Sequence, residues 1–284
     1  MSNKIKSIQE LLNFSIINLD KPTGPTSFWT SQKVKHLLNI KKTAHFGTLD
    51  PMVTGVLPVA LGRACKLNEI FMHRDKTYVG IMRLHSLVSE EKLKDSIKKF
   101  TGEIMQMPPV KSRVKRQIRP RTVHTFDILE IQGNDVLFES RVQAGTYIRK
   151  LCHDVGEDLG IGAHMLELRR TQAGLFDESK NLVNLNDLDS AVKALEKGDE
   201  KPIRKILQPA EGLIKEIIPT AEANSESKKS LLDGKPVHKA DLKSKLPKEE
   251  IFALFIEEQF IGIYKQFNES DESEILAKAM FVFS

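Results

Sequence analysis

Residues 45–61, which read HFGTLDPMVTGVLPVAL, constrain the fold of this chain more than any other stretch. Gly47 suits a backbone turn that residues with side chains resist, and Pro51 biases Asp50 towards an extended conformation. The apolar run Val56–Leu61 predicts a buried strand. The sequence therefore predicts a carboxylate on a stiff loop that is anchored in the core. The alternative is that Asp50 only hydrogen-bonds its own turn, as Asp before Pro often does.

Five short motifs follow one another along the chain. They are LDKPTGPTS (19–27), GTLDP with VTGVLPVAL (47–61), KTYVG (76–80), AGTYIRKL (144–151) and GAHMLELRRT (162–171). The series resembles the TruB family of pseudouridine synthases, and within it the archaeal and eukaryotic dyskerin-type branch. The likeness extends over about residues 14–210. Ala44 and Phe46 depart from the family pattern, because they flank His45 where the family usually has small residues.

The order of the predicted elements indicates an α+β fold in two domains. Strand and helix patterns mix without a regular βαβ rhythm, which favours a central, mostly antiparallel sheet, and the resemblance implies the same fold. Residues 14–210 are expected to form the catalytic domain. Residues 211–284 carry short strand patterns that resemble the PUA RNA-binding module, a small β-rich domain. Residues 1–13 are then expected to pack on that module, as the resemblance implies.

The basic residues indicate a polyanionic partner. The net charge of +5 and the pI near 9.0 are modest, but one stretch of the chain is basic without any acid. This basic cluster consists of Lys111, Arg113, Lys115, Arg116, Arg119 and Arg121. Such a cluster can neutralise several phosphates at once, so it predicts RNA binding with salt-sensitive affinity. The alternative is a solvated surface loop, and charge alone does not separate the two.

The cysteines and the apolar runs indicate a cytoplasmic protein. Cys65 and Cys152 are far apart and in no ligand-like spacing, which argues against a disulfide framework or a zinc site. No apolar run approaches membrane-spanning length, and the N-terminus has no signal-type apolar stretch. We therefore expect no metal, no membrane association and a reducing cytoplasmic location.

Three residues carry the chemistry that the resemblance implies. A pseudouridine synthase breaks the glycosidic bond to nitrogen, turns the base and forms a carbon–carbon bond, which requires neither cofactor nor metal. By resemblance Asp50 is the catalytic carboxylate, Arg149 pairs with it and Tyr78 lies against the target base. Without the resemblance, Arg149 is an ordinary surface cation and Tyr78 is a half-buried aromatic residue of a strand.

The resemblance also implies a set of substrate-binding residues. His45 is expected to fill the gap left by a flipped nucleotide, since a stacked uridine must leave its stack to react. Leu168 is expected to complete the apolar floor under the base. Lys21 and Lys76 complete the set, and Lys21 is expected to shape the loop beneath the site. On pattern alone, His45 is a loop residue and Leu168 a core residue.

The function that follows from this resemblance is isomerisation of uridine to pseudouridine in tRNA, rRNA or both. The short link between residues 76 and 89 and the stretch MPPVKSRVKRQ (107–117) resemble the dyskerin-type branch. That branch implies a catalytic subunit of a box H/ACA ribonucleoprotein, with a guide RNA and small partner proteins. The alternatives are a stand-alone tRNA T-loop enzyme and a non-catalytic RNA-binding scaffold. Retention of Asp50, Tyr78 and Arg149 argues against the scaffold.

Overall fold

A computed structural model describes residues 5–108, 115, 117–267 and 275–283. The strands are β1 Ser15–Lys21, β2 Thr43–His45, β3 Thr54–Leu61, β4 Lys76–Leu84, β5 Gly102–Gln106, β6 Arg119–Gln132, β7 Asp135–Val142, β8 Ala163–Ala173, β9 Phe176–Asp177, β10 Gln208–Pro209, β11 Thr220–Glu222, β12 Val237–His238, β13 Ile251–Ile256, β14 Gln259–Gln266 and β15 Ile275–Val282. The α-helices are α1 Ile8–Asn13, α2 Ser27–Leu37, α3 Asn68–Met72, α4 Glu90–Lys99, α5 Ile148–Asp158, α6 Leu185–Glu196, α7 Lys201–Ile206, α8 Ala210–Ile217 and α9 Lys228–Leu232.

The chain divides into two compact units. The larger unit comprises residues 17–206, and the smaller unit combines residues 1–16 with residues 207–284. Of the predicted basic cluster, Lys111, Arg113 and Arg116 lie outside the described residues, whereas Lys115 is described and exposed. The prediction that this cluster binds RNA therefore stays a prediction.

The larger unit is built on one mixed sheet with helices against it. Its strand order is β1-β3-β8-β4-β7-β6-β5, with β2 on β3 and β9 on β8. Strands β3 and β8 are parallel, whereas the pairs from β8 through β4, β7 and β6 to β5 are antiparallel. The predicted α+β fold with a mostly antiparallel sheet is confirmed.

Local sequence signals explain several of these elements. Helix α4 begins after Ser89, whose Oγ accepts a hydrogen bond from the backbone N–H of Lys92, as a helix-capping serine does. Strands β6 and β7 form a hairpin around Gly133 and Asn134, and the positive φ of 59° at Gly133 suits a two-residue turn. A 3-10 turn, Gly62–Leu67, follows β3 and leads directly into α3.

Phe46, which departs from the family pattern, belongs to the core of the larger unit. Its side chain is 1% exposed and stacks on Phe71, with ring centroids 5.0 Å apart. Phe71 in turn contacts Phe176 at a centroid distance of 6.1 Å. The large ring at this position therefore fills the interior, where burial of an aromatic side chain stabilises the fold.

The smaller unit has its own sheet and its own core. The strand order is β11-β13-β14-β15-β12, and residues such as Phe252, Leu254 and Tyr264 are fully buried beneath it. Phe14, which follows α1 directly, stacks on Phe260 with ring centroids 5.4 Å apart, whereas the packing of residues 1–13 on residues 211–284 stays a prediction. Whether this unit acts as a PUA-like RNA-binding module stays a prediction.

The two cysteines are free and buried in the larger unit. Burial raises the pKa of the Cys65 thiol to about 11 and that of Cys152 to about 12, so neither is a reactive thiolate near neutral pH. Among the described residues, no helix combines the length and the apolar character needed to cross a bilayer.

A close approach of two strands predicts the effect of a single methyl group. Gly55 on β3 has a φ of +98°, and a Cβ there would lie 2.2 Å from the backbone oxygen of Arg170 on β8. Gly102 has the same φ of +98° but nothing within 4 Å of the added atom. We expect Gly102→Ala to lower the free energy of unfolding by about 1–3 kcal/mol from backbone strain alone. Gly55→Ala should cause a clearly larger loss in the same denaturant titration. Equal losses would show that β3 and β8 can separate enough to accommodate the added methyl group at little cost in free energy.

Candidate active site

Asp50 lies on a loop that joins two antiparallel strands. Strands β2 and β3 pair with His45 opposite Val59, and residues 46–53 form the connection. The backbone N–H of Val53 donates to the carbonyl oxygen of Asp50 at 3.0 Å, which closes a four-residue turn with Pro51 in its second position. Proline favours that position because its ring fixes φ near the value the turn requires. The predicted stiff loop is therefore present.

Two neighbouring segments hold the backbone of this Asp50 loop (residues 46–53). The Ser27 hydroxyl at the start of α2 donates to the carbonyl oxygen of Leu49 at 3.0 Å and accepts from the Leu49 N–H at 2.8 Å. The ammonium of Lys21 donates to the carbonyl oxygens of Pro51 at 3.0 Å and Val53 at 2.9 Å. Buried backbone groups must be paired, and here α2 and β1 supply the partners.

Arg170 on β8 holds the chain on either side of Asp50 and was not among the site residues predicted from the sequence. Its side chain is 1% exposed, and its Nε donates to the carbonyl oxygen of Val56 at 2.7 Å while Nη2 donates to that of Gly47 at 3.1 Å. The guanidinium also hydrogen-bonds the side chain of Tyr78. The Arg169-Arg170 pair could have indicated this buried arginine. Successive side chains of a strand point to opposite faces, so one of the two arginines must face inward.

Asp50 and Arg149 form the predicted ion pair. Nη1 of Arg149, the second residue of α5, lies 3.2 Å from Oδ2 of Asp50. The Arg149 side chain is 44% exposed and that of Asp50 is 48% exposed, so the pair is open to a ligand. Burial lowers the pKa of Lys21, while the charge of Asp50 acts in the opposite direction. The carboxylate is therefore fixed near two cations yet remains accessible.

Tyr78 and Leu168 lie on one face of the sheet. Strands β4 and β8 pair with Tyr78 opposite Arg170 and with Gly80 opposite Leu168. Both side chains are 8% exposed, and a methyl group on Gly80 would lie 2.7 Å from Cδ1 of Leu168. The structure thus brings together the tyrosine and the leucine that the sequence assigned to the base-binding surface. Their roles towards a base stay predictions.

The remaining predicted site residues differ in how accessible they are. His45 is partly buried, with Nε2 3.3 Å from the hydroxyl of Thr48. Burial and the charge of Arg170 lower its pKa, so the imidazole is neutral near pH 7. Lys76 is 5% exposed and its ammonium donates to the carbonyl oxygens of Met72 and Arg74.

The two lysines predicted to bind substrate are both directed inward. Lys21 is fully buried and Lys76 nearly so, and the contacts of both ammonium groups are with backbone carbonyl oxygens. Binding of a substrate phosphate by either group would require these hydrogen bonds to break. The contacts favour a positioning role for the two lysines, and substrate binding by them stays a prediction.

Family models match most of this larger unit. The model described as the N-terminal domain of TruB family pseudouridylate synthases matches residues 35–90 and 85–148. The model described as the C-terminal domain of tRNA pseudouridylate synthase B matches residues 149–215. The chain belongs to the TruB family of pseudouridine synthases. The family predicted from the sequence motifs is confirmed.

Individual relatives agree with the family models. The chain is 50% identical over 207 residues to a probable tRNA pseudouridine synthase B of Methanopyrus kandleri, which covers 72% of this chain and 61% of the relative. It is 48% identical over 213 residues to the protein of the same name in Pyrococcus abyssi, which covers 75% of this chain and 64% of the relative. The chain thus spans less than two thirds of the length of these curated relatives.

Two solved structures share the fold along nearly the whole chain. The Cbf5 chain of a Cbf5-Nop10-Gar1 complex superposes with a TM-score of 0.87 at 38% identity, covering 98% of this chain and 88% of that chain. An H/ACA ribonucleoprotein bound to a substrate RNA containing 2'-deoxyuridine gives a TM-score of 0.86 at 35% identity, with the same coverage. Within the TruB family, this chain therefore has the fold of archaeal Cbf5, a dyskerin-type protein.

The buried Lys76 predicts a pH dependence of stability. Burial, together with the charge of Arg170, lowers its pKa from 10.5 to about 8. Below pH 8 the ammonium group is protonated in both the folded and the unfolded state. The folded state therefore carries the full free-energy cost of burying that charge. Between pH 8 and 10.5 the folded state loses the proton first, so the contribution of Lys76 to stability rises with pH.

The test compares the wild-type protein with Lys76→Met, which keeps the length of the side chain and removes its charge. From pH 7 to pH 10 the wild type should gain up to roughly 3 kcal/mol in free energy of unfolding relative to the variant. Other titrating groups cancel in this difference. A difference that does not change with pH would show that Lys76 keeps an ordinary pKa in the folded protein.

Proposed function

We propose that the chain is an RNA pseudouridine synthase in which Asp50 is the catalytic carboxylate. The observation that supports this function best is the Asp50–Arg149 ion pair, 3.2 Å long, on a loop whose backbone is held by three other side chains. Isomerisation of uridine needs an ionised carboxylate beside the sugar and the base. A fixed but half-exposed carboxylate meets that requirement, because it is oriented before a nucleotide arrives.

The other site residues have distinct roles in this proposal. Arg149 limits the rotation of the Asp50 carboxylate through a charge-assisted contact. Tyr78 and Leu168 form the surface on which the target base lies, and burial of most of each side chain makes that surface firm. His45 fills the space that the flipped nucleotide leaves, and its lowered pKa provides an uncharged ring for that position.

The cellular assembly is the second part of the proposal. The solved relatives that superpose along 98% of the chain are named for complexes of Cbf5 with Nop10 and Gar1 and for an H/ACA ribonucleoprotein with substrate RNA. We infer that this chain is likewise the catalytic subunit of an H/ACA particle in the cytoplasm, acting with a guide RNA and small partner proteins on rRNA or tRNA. The names of the curated relatives favour the alternative, a stand-alone tRNA enzyme.

RNA docking is assigned to two further parts of the chain. The sequence of the basic cluster around the exposed Lys115 suits the phosphates of an RNA backbone. The β-rich smaller unit, with residues 211–284 and the N-terminal residues 1–13, is proposed as a PUA-like module that docks RNA, while residues 14–210 perform the chemistry. The support is the absence of a candidate catalytic constellation in the sequence beyond residue 210.

The direct test is the variant Asp50→Asn. Asparagine keeps the shape of the side chain and removes its charge, so we expect no detectable pseudouridine while RNA affinity stays within a few fold of wild type. The matched control is Asp135→Asn, which also breaks an exposed Asp–Arg pair, here with Arg83, away from the Asp50 loop. The control should react at the wild-type rate. Turnover of Asp50→Asn close to wild type would remove Asp50 from the mechanism.

The same assay distinguishes the H/ACA assembly from the stand-alone enzyme. The purified chain is incubated with tRNA or with rRNA fragments, with and without an H/ACA guide RNA and the Nop10- and Gar1-type proteins, and modified uridines are mapped. We expect efficient modification of a guide-matched uridine only in the assembled particle. Efficient modification of one tRNA uridine by the chain alone would favour the stand-alone enzyme. No modification under any condition would favour the non-catalytic scaffold.

A further inference from the structure

Two aromatic side chains are exposed at the beginning of helix α2. Phe28 is 66% exposed and Trp29 is 51% exposed, and Met52 on the Asp50 loop is 72% exposed. Trp29 is the sole tryptophan of the chain. Large apolar side chains that remain in water contribute little to the core, and several of them near a reactive loop are typical of a binding surface. The catalytic roles proposed above do not use them.

The hydrogen bonds of Ser27 place these rings close to the proposed reaction site. Ser27 precedes Phe28 in the chain, and its hydroxyl is bonded to both backbone groups of Leu49, which precedes Asp50. The path from Phe28 to Asp50 therefore runs one residue back to Ser27, across its side-chain hydrogen bond to Leu49, and one residue on to Asp50. That path limits the distance between their Cα atoms to roughly 15 Å. A nucleotide near the target uridine would lie within reach of the two rings.

The charge of this region favours a nucleic acid as the occupant. No Asp or Glu occurs between Asp20 and Asp50. Lys33 on α2 and Lys41 and Lys42 after it are exposed. Single-stranded nucleic acid is bound by aromatic side chains on which bases stack, combined with cations that contact the backbone. Both components are present in this one segment.

We propose that Phe28 and Trp29 form a stacking platform for an unpaired RNA base that lies beside the target uridine. The inference rests on the proposed function, because it places the platform next to a uridine held at Asp50. The platform binds by π-stacking, so it tolerates different bases and adds affinity rather than sequence selection. It extends RNA contact from the reactive loop onto the first turn of α2.

The test uses the fluorescence of Trp29 in the full-length Asp50→Asn protein, which isolates binding from turnover. Because there is no second tryptophan, any change in tryptophan emission reports on this position. The probe is a short single-stranded RNA that carries one uridine, and a second set of probes has an abasic nucleotide at successive positions beside that uridine. We expect quenching by the intact RNA and loss of quenching for one abasic position.

Two substitutions of Trp29 separate stacking from simple hydrophobic contact. Trp29→Phe keeps a ring and should bind labelled RNA nearly as well as the parent. Trp29→Leu keeps an apolar side chain without a ring and should weaken binding roughly ten-fold, in line with the value of one stacked base. Leu129→Ala is the control, since Leu129 is also an exposed apolar residue, 55% exposed, but lies on β6. It should bind like the parent.

The outcomes keep this inference distinct from the proposed function. Pseudouridine formation by the wild type without any quenching in the Asp50→Asn protein would leave the function intact and overturn the platform. Quenching with a ring-dependent affinity supports the platform even if no pseudouridine is formed. Absence of RNA binding, or equal binding by Trp29→Phe and Trp29→Leu, overturns it. So does an emission change caused only by Nop10- or Gar1-type proteins, which would identify a protein-docking surface.

Discussion

The candidate site depends on the buried guanidinium of Arg170. A cation inside a protein is expensive unless each of its donors finds an acceptor, and here the acceptors are the backbone oxygens of Gly47 and Val56 and the side chain of Tyr78. Gly47 precedes Asp50 and Val56 follows it, so one side chain fixes the chain on both sides of the carboxylate. Removing the guanidinium would remove its hydrogen bonds to the buried Val56 carbonyl oxygen and to the part-buried Gly47 carbonyl oxygen.

Other features of the fold make this interaction possible. Gly55 allows β3 to approach the backbone of Arg170 more closely than any residue with a Cβ could. Lys21 and Ser27 donate to three further carbonyl oxygens of the loop, those of Pro51, Val53 and Leu49. The backbone of the loop is therefore fixed mainly by buried polar contacts, while the carboxylate of Asp50 stays open. Preorganisation of this kind lets a site orient a reactive group without rearrangement when the substrate binds.

Short-range signals in the sequence account for several local features of the fold. The capping serine of α4, the turn at Gly133 and the Asp50 loop all follow from neighbouring residues. The pairing of Asp50 with Arg149 was reached only through the family resemblance, because no local pattern joins residues that lie so far apart in the chain.

The contacts of Arg170 were not predicted, for a related reason. They connect residues 114 and 123 positions apart, and the sequence alone does not show which of two successive arginines faces inward. Lys21 and Lys76 were assigned to substrate binding through the resemblance, whereas the fold directs both ammonium groups towards backbone oxygens; for Lys21 these include loop carbonyls. The location of Phe46 in the core likewise depends on Phe71, a partner from another element.

Amide hydrogen exchange of wild-type protein and Arg170→Lys tests most directly whether Arg170 fixes the Asp50 loop. Lysine keeps the charge but cannot present the two-pronged donor geometry of the guanidinium. We expect faster exchange confined to residues 45–61 and to the adjoining part of β8, with β6 and β7 still protected as in the wild type. Unchanged exchange of residues 45–61 in the variant would contradict it, because the loop would then be held without Arg170.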